Sequence, residues 1–170
     1  ATATIDLYER DRPACERHQR DLDEFLRAPF AFVPVWRSHV LLLRALCALC
    51  AAEQRPAREA LLAQAATDLD AVQALGLRCF VDAVCLARAG LAALRQERVR
   101  ALELLDDVIG SAEAQAQPLL VASALRRRGE LMGGRHDPLT TRADDLMRER
   151  GVLHPERMAR IFSPGFGEPS

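Results

Sequence analysis

Apolar residues recur every three or four positions through most of this chain, the spacing that places them along one face of an α-helix. Prolines stand near the starts of these periodic segments and glycines at their ends, positions that both residues favour in helices. No run alternates apolar and polar residues, so no sheet is expected. The pattern predicts eight helices, at about residues 13–28, 34–53, 56–75, 77–96, 98–116, 118–132, 138–150 and 155–161.

Three stretches of the chain share one order: an apolar helix end, a polar turn and a new helix start. They begin at Arg44, Arg88 and Arg128, which lie 44 and 40 positions apart. A helix pair repeated at such a period is typical of a helical solenoid. We therefore predict an all-α fold of stacked antiparallel helix pairs, with a capping helix and tail over 152–170. The expected pairs cover about residues 1–28, 34–75, 77–116 and 118–151.

Two kinds of helix alternate within this repeat. The first helices, at 35–52 and 80–94, are apolar on more than one side and contain small residues that permit close packing. They are expected to form the inner layer. The second helices carry a single apolar stripe, for example Leu61, Ala65, Leu69, Val72 and Leu75.

The composition, 49% hydrophobic and 28% charged over 170 residues, suits a globular domain with its own core. Because the formal net charge is -1, no nucleic-acid partner is expected. No apolar run approaches the ~18 residues of a membrane span, and no signal peptide is visible, so we expect a cytoplasmic protein with no membrane partner. The chain begins in mid-pattern, which suggests a piece of a longer protein.

Candidate chemistry is sparse. Five cysteines, an odd number, are expected to be reduced core residues, and Cys47-x-x-Cys50 lacks the second pair that a metal site needs. The four histidines are scattered singly. The neighbours in Asp106-Asp107 and in Asp144-Asp145 point about 100° apart on a helix, which disfavours an acid–base pair. We therefore predict no catalytic residue, no metal and no cofactor.

Arginines of the first helices are the candidate binding residues. If the repeats superpose, Arg44, Arg88 and Arg128 occupy equivalent places on the concave face of the solenoid. Guanidinium groups there can bind the carboxylates of an acidic protein or peptide. Arg37 is a fourth candidate on that face. The alternative is that these side chains pair with a neighbouring carboxylate of the same chain or face a helix carboxyl terminus.

The carboxyl terminus is a separate element. Met158, Ile161 and Phe162 give an apolar face to a segment that is too short to be helical alone. We expect this segment to cap the last helix pair, and 164–166 to turn the chain away. The expected acceptor surface lies near Leu139, Leu146 and Met147. The alternative is a docking peptide for another subunit or domain.

Several motifs resemble a known family. The polar turn followed by Arg58-Glu-Ala-Leu61 resembles tetratricopeptide repeats of the longer kind. Gly151-x-x-x-Pro-x-Arg-Met158, followed by Pro164-Gly-Phe166, is similar to the end of large bacterial proteins. These join a serine/threonine kinase domain to a predicted ATPase and a carboxy-terminal repeat array, which Leu7–Asp11 and Leu41–Ala45 also resemble.

The resemblance covers essentially the whole chain and implies a right-handed tetratricopeptide-like solenoid that acts as a sensor or docking array. The phosphate-loop and catalytic-loop motifs of such kinases and ATPases are absent from this sequence. We therefore predict a non-catalytic protein–protein interaction, scaffold or sensor array in the carboxyl-terminal part of a bacterial signalling protein. Its partner would be a protein or peptide, or another domain of the parent chain. An oligomerisation module that forms homo-oligomers is the main alternative, and a helical-domain enzyme the least favoured.

Overall fold

A computed structural model describes residues 2–53 and 58–166 of the chain. These residues form helices joined by short turns, and no strand occurs among them. The α-helices are α1 (Thr2–Glu9), α2 (Arg12–Arg27), α3 (Pro34–Ala51), α4 (Arg58–Ala74), α5 (Val81–Leu94), α6 (Arg98–Ala114), α7 (Pro118–Met132), α8 (Pro138–Arg148) and α9 (Pro155–Phe162). The all-α prediction is confirmed. The helix start predicted at Pro56, and residues 167–170 of the tail, lie outside the described residues.

Two elements differ from the predicted helices by more than two residues. Within the pair expected over 1–28, α1 precedes the predicted helix at 13–28, because Arg10 adopts a left-handed φ of 59° and Asp11 then caps α2 by accepting the amide of Ala14 at 2.9 Å. The third pair begins later than expected, because Arg78–Phe80 is a 3-10 turn that precedes α5. Neither change alters the order of the remaining helices.

One turn geometry recurs four times within residues 2–53 and 58–166. In each case a left-handed residue ends a helix, and the next amide bonds the carbonyl five residues back. The left-handed residues are Arg10, Gln96, Ala116 and Gly151. Because three of the four are not glycine, the glycine pattern of the sequence revealed only one of these turns.

The helices pack in adjacent pairs along the chain. From α2 to α8 each helix packs on the next, and the contact between α4 and α5 is the least extensive of these. One large hydrophobic cluster joins α1 to α5, and a second joins α5 to α8. The two clusters meet at α5, which contributes buried residues to both.

The first helices of the pairs carry most of the core, as the sequence predicted. Helix α3 buries Ala45, Cys47, Ala48 and Leu49 completely. By length and composition it is the one helix of the described part that could cross a membrane, with a mean hydropathy of 1.2 over 18 residues. In this fold 56% of that window is buried by the rest of the chain.

The odd-numbered helices contact one another in succession. Helices α1, α3, α5 and α7 each contact the next, and α7 contacts α9. Helix α9 also contacts α1, so the last described helix returns to the first. The predicted acceptor of α9 was the last helix pair alone. Stacking of the pairs as a right-handed solenoid stays a prediction.

Candidate docking surfaces

The predicted binding arginines of three first helices form separate ion pairs within the chain. Each guanidinium bonds a carboxylate of a neighbouring helix: Arg44–Asp68 at 2.6 Å, Arg88–Asp70 at 2.5 Å and Arg128–Asp106 at 2.6 Å. Each arginine therefore ties two helices together, which is the alternative that the sequence left open. Binding of a partner by these residues stays a prediction, and that partner would compete with an internal aspartate.

The Arg44 pair is buried and structural. Nε and Nη2 of Arg44 donate to the two carboxylate oxygens of Asp68 at 2.9 and 2.6 Å, and Nη1 donates to Asp23. Asp68 is only 1% exposed. The hydrogen bonds to Asp68 raise the pKa of Arg44, and they outweigh burial, which lowers it. This contact holds α4 against α3.

The other candidate arginines are more accessible. The side chains of Arg88 and Arg128 are 31% and 30% exposed, and their aspartate partners are more exposed still. Ion pairs of this kind contribute about 0–1 kcal/mol, so a partner carboxylate could replace the aspartate at little cost. Arg37 is half-buried in the first turn of α3, and no ion pair to it is found within 2–53 and 58–166.

A cluster of exposed apolar side chains marks the junction of α2 and α3. We name it the apolar corner: Phe25, Phe32, Val33, Val35 and Trp36, which are 40–83% exposed. These five are half of the ten large hydrophobic side chains that the structure exposes in its described part. Such concentration is typical of an interaction site rather than of scattered surface residues.

Two arginines flank the apolar corner. Arg27 is exposed at the end of α2, and Arg37 follows Trp36 in α3. Tryptophan, phenylalanine and arginine are the side chains enriched at the centres of protein interfaces. The predicted helices at 13–28 and 34–53 leave residues 29–33 outside any helix. The sequence does contain a signal for this surface, because four of the eight aromatic residues of the chain fall within 25–36.

An apolar cavity of about 300 Å³ is lined mainly by α4, α5 and the turn between them. These two helices pack together less extensively than the other successive helices from α2 to α8. Val72, Leu77, Phe80, Val84 and Leu104 are among the residues that line it. The cavity holds no cluster of polar groups that would orient a ligand, apart from Arg88 and Gln73 at its edge.

The carboxyl-terminal segment, residues 155–166, contains the three predicted capping residues, all half-buried. Met158 packs in a small cluster with Met147 and Leu146, two of the acceptors expected from the sequence. Phe162 packs against the cluster of α5 to α8. Ile161 lies beside them on α9, and the capping role of these side chains stays a prediction.

The sequence suggested that residues 164–166 turn the chain away after α9. The structure shows that they do not. Ser163, Pro164 and Gly165 are buried. Gly90 of α5 makes this path possible. The carbonyl oxygen of Pro164 approaches Gly90 so closely that a β-carbon there would lie 2.2 Å away. The segment therefore runs along α5 instead of leaving the fold.

The five cysteines are free thiols, and not all of them are core residues. Cys15, Cys47 and Cys50 are buried, but Cys79 is exposed, which corrects the prediction for that residue. The pKa values of Cys15 and Cys50 are raised above the ordinary range of a thiol, first by a hydrogen bond to another thiol and then by burial. These thiols therefore stay protonated at neutral pH.

Three of the four aspartates considered for catalysis form ion pairs within the chain. Asp106 bonds Arg128, Asp144 bonds Arg126, and Asp145 bonds Arg148. No group of three histidine, cysteine or acidic residues that could hold a metal ion is found among the described residues. No known protein family, curated protein or solved structure matches this chain.

Proposed function

We propose that this chain is a non-catalytic protein–protein interaction module, a scaffold or sensor array. In this proposal its helix pairs form a right-handed tetratricopeptide-like solenoid in the carboxyl-terminal part of a cytoplasmic bacterial signalling kinase or ATPase. The all-helical fold with adjacent paired helices supports the architecture. The resemblance of residues 151–158 and 164–166 to the end of such proteins supports the proposed parent chain.

The apolar corner is the observation that carries the proposal. Phe32 and Trp36 expose 83% and 57% of their surface to water on a helical fold that has room to bury apolar groups elsewhere. Burying each of these side chains in an interface stabilises a complex by about 1.5–3 kcal/mol. The corner is therefore an anchor for a partner protein.

The chemistry of the partner follows from what surrounds the corner. Arg27 and Arg37 adjoin the aromatic residues in sequence, as does the exposed Glu24, so a partner with an apolar pocket and a charged rim that includes carboxylates fits the surface. This partner is another protein, or another domain of the parent chain, and needs no cofactor. Arg88 and Arg128 are accessible arginines for an additional acidic contact.

Matched variants test the proposal. The wild-type chain and Trp36→Ser would be immobilised and exposed to a bacterial lysate, beside a Val99→Ser control that removes an isolated apolar side chain, 73% exposed, on α6. We expect at least one protein to be captured by wild type and by Val99→Ser but not by Trp36→Ser. Identical capture by all three chains would overturn the role of the corner.

Homo-oligomerisation remains a second candidate, because the same corner could bind a second copy of the chain. Sedimentation velocity separates the two functions. A dimer of the wild-type chain that dissociates in Trp36→Ser would assign the corner to self-association. A monomer at all concentrations assigns the corner to a different protein.

A further inference from the structure

The carboxyl-terminal segment meets the fold through a site built from helices that are distant in sequence. Helix α9 contacts α1, α5 and α7, and also the preceding helix α8. The residues that follow it continue along α5 towards Glu53, beyond the end of α3. The segment is therefore held in two places, at its helix and at its turn.

The turn is held by polar contacts to its backbone. Arg127 of α7, which is 4% exposed, donates Nε to the carbonyl oxygen of Ser163 at 3.0 Å. The same guanidinium lies 5.2 Å from the centre of the Phe166 ring. Glu53 accepts the amide of Gly165 at 3.1 Å. Backbone bonds combined with a side-chain contact are how folded domains bind extended peptides.

The shape of the turn admits only small residues. A β-carbon at Gly90 would lie 2.2 Å from the carbonyl oxygen of Pro164. Gly165 has a φ of +101°, and its own β-carbon would lie 2.9 Å from the carbonyl oxygen of Gly90. A side chain at either glycine is therefore excluded by sterics, and at Gly165 also by backbone strain.

The helix of the segment forms an exposed ion pair with α1. Arg157 donates to both carboxylate oxygens of Glu9 at 3.0 Å, and its guanidinium lies 5.6 Å from the centre of the Tyr8 ring. The two charged side chains are 39% and 51% exposed, so the pair orients the helix more than it stabilises it. The segment carries two arginines and one glutamate. Its charge complementarity to the site lies at Arg157 and Glu9, because Glu53 at the turn accepts a backbone amide and already bonds two arginines of the fold.

The large apolar side chains of the segment pack against the cores of the fold without being fully buried in them. Among the buried members of the three hydrophobic clusters, only Ala159 belongs to it. It is joined to α8 through an exposed link in which Leu153 is 85% exposed. An isolated helix of its eight residues is not stable in water, so the site imposes its structure.

We propose that the face formed by α1, α5 and α7 is a peptide-binding site and that residues 155–166 occupy it as a removable intramolecular ligand. The ligand class is a short cationic helix followed by a Ser-Pro-Gly-Phe turn. The same segment supplied in trans competes with the resident copy. This inference does not depend on the apolar corner, which lies on α2 and α3.

An exchange experiment on the full chain tests this proposal. A protease recognition sequence is inserted after Leu153, and the folded protein is cleaved there. A fluorescent peptide of residues 154–166 is then added, and its anisotropy reports uptake. Unlabelled competitors are the wild-type peptide, a Gly165→Ala peptide, and a Glu156→Ala control in which an exposed side chain is removed.

We expect the cleaved chain to keep its helical circular dichroism and to take up the labelled peptide. The wild-type and Glu156→Ala peptides should compete equally. Gly165 needs a positive φ and close contact with α5. The Gly165→Ala peptide should therefore need a concentration at least about 10-fold higher than the wild-type peptide for the same competition. Loss of helix on cleavage, absence of uptake, or equal competition by the Gly165→Ala peptide would each overturn the proposal.

Discussion

The carbonyl oxygen of Pro164 lies against the α-carbon of Gly90, at a distance that leaves no room for a side chain. Gly90 is in the interior of α5, where glycine is less favourable than alanine by about 1 kcal/mol. The cost of this glycine in the helix is offset by the close packing of the carboxyl-terminal segment.

Gly90→Ala should destabilise the protein, although alanine is the better helix former. The added methyl group meets a backbone oxygen, and overpacking of this kind costs about 1–3 kcal/mol. Gly110→Ala in α6 is the matched control, because nothing lies within 4 Å of the position of its β-carbon. We expect that variant to gain about 0.5–1 kcal/mol. Chemical denaturation measures both, and equal shifts would refute the packing argument.

Two arginine-to-glutamine variants should differ strongly in stability. Arg44→Gln leaves the buried carboxylate of Asp68 without its cation and should cost about 3–5 kcal/mol. Arg88→Gln disturbs a pair whose aspartate is 72% exposed and should cost at most about 1 kcal/mol. Urea unfolding gives both values. A mild effect at Arg44 would contradict its structural role.

Ala116→Gly should stabilise the chain. Ala116 ends the turn after α6 with a left-handed φ of 54°, which costs a non-glycine residue about 1–2 kcal/mol. The control is Ala63→Gly, an exposed position inside α4, where the same change should destabilise by about 1 kcal/mol. Thermal unfolding should therefore show midpoint shifts of opposite sign.

Stability should fall as pH rises above about 8.5, the ordinary pKa of a thiol. The raised pKa values of Cys15 and Cys50, together with that of Cys85, which burial raises to about 11, mean that the folded state holds protons that the unfolded state has lost. Each such thiol costs up to ~1.4 kcal/mol per pH unit in that window. Cys50→Ala should flatten the dependence measured by denaturation between pH 8 and 10. Cys79→Ala, at an exposed position, should leave it unchanged.

Truncation after Gly151 should lower the unfolding midpoint by several degrees. The segment loses its packing of Met158 and Phe162, each worth up to about 1.5–3 kcal/mol when fully buried. Leu153→Ala removes an exposed side chain just before α9 and should leave the midpoint unchanged. A truncated chain that melts at the wild-type temperature would show that the segment neither caps nor stabilises the fold.

The sequence by itself determined the local structure. Apolar spacing predicted α2 to α9, and prolines marked the starts of α3, α7, α8 and α9. Glycines marked three helix ends, at Gly76, at Gly133-Gly134 and at Gly151, and Gly76, Gly134 and Gly151 have a positive φ. These features depend on residues within one or two helical turns, so a linear pattern contains them. Helix α1 was not predicted, because the left-handed residue that ends it is Arg10 and not the glycine usual in that conformation.

The tertiary structure alone decided which residues meet across the fold. The arginines predicted to occupy equivalent repeat positions bond different aspartates, because each partner depends on how two helices are rotated against each other. Gly165 and Glu53 are 112 residues apart, and no periodic pattern relates them. The exposure of the apolar corner could not be predicted from the sequence either, because the elements that pack around a run of aromatic residues decide whether it is buried. Contacts of this kind are set by global packing rather than by local sequence.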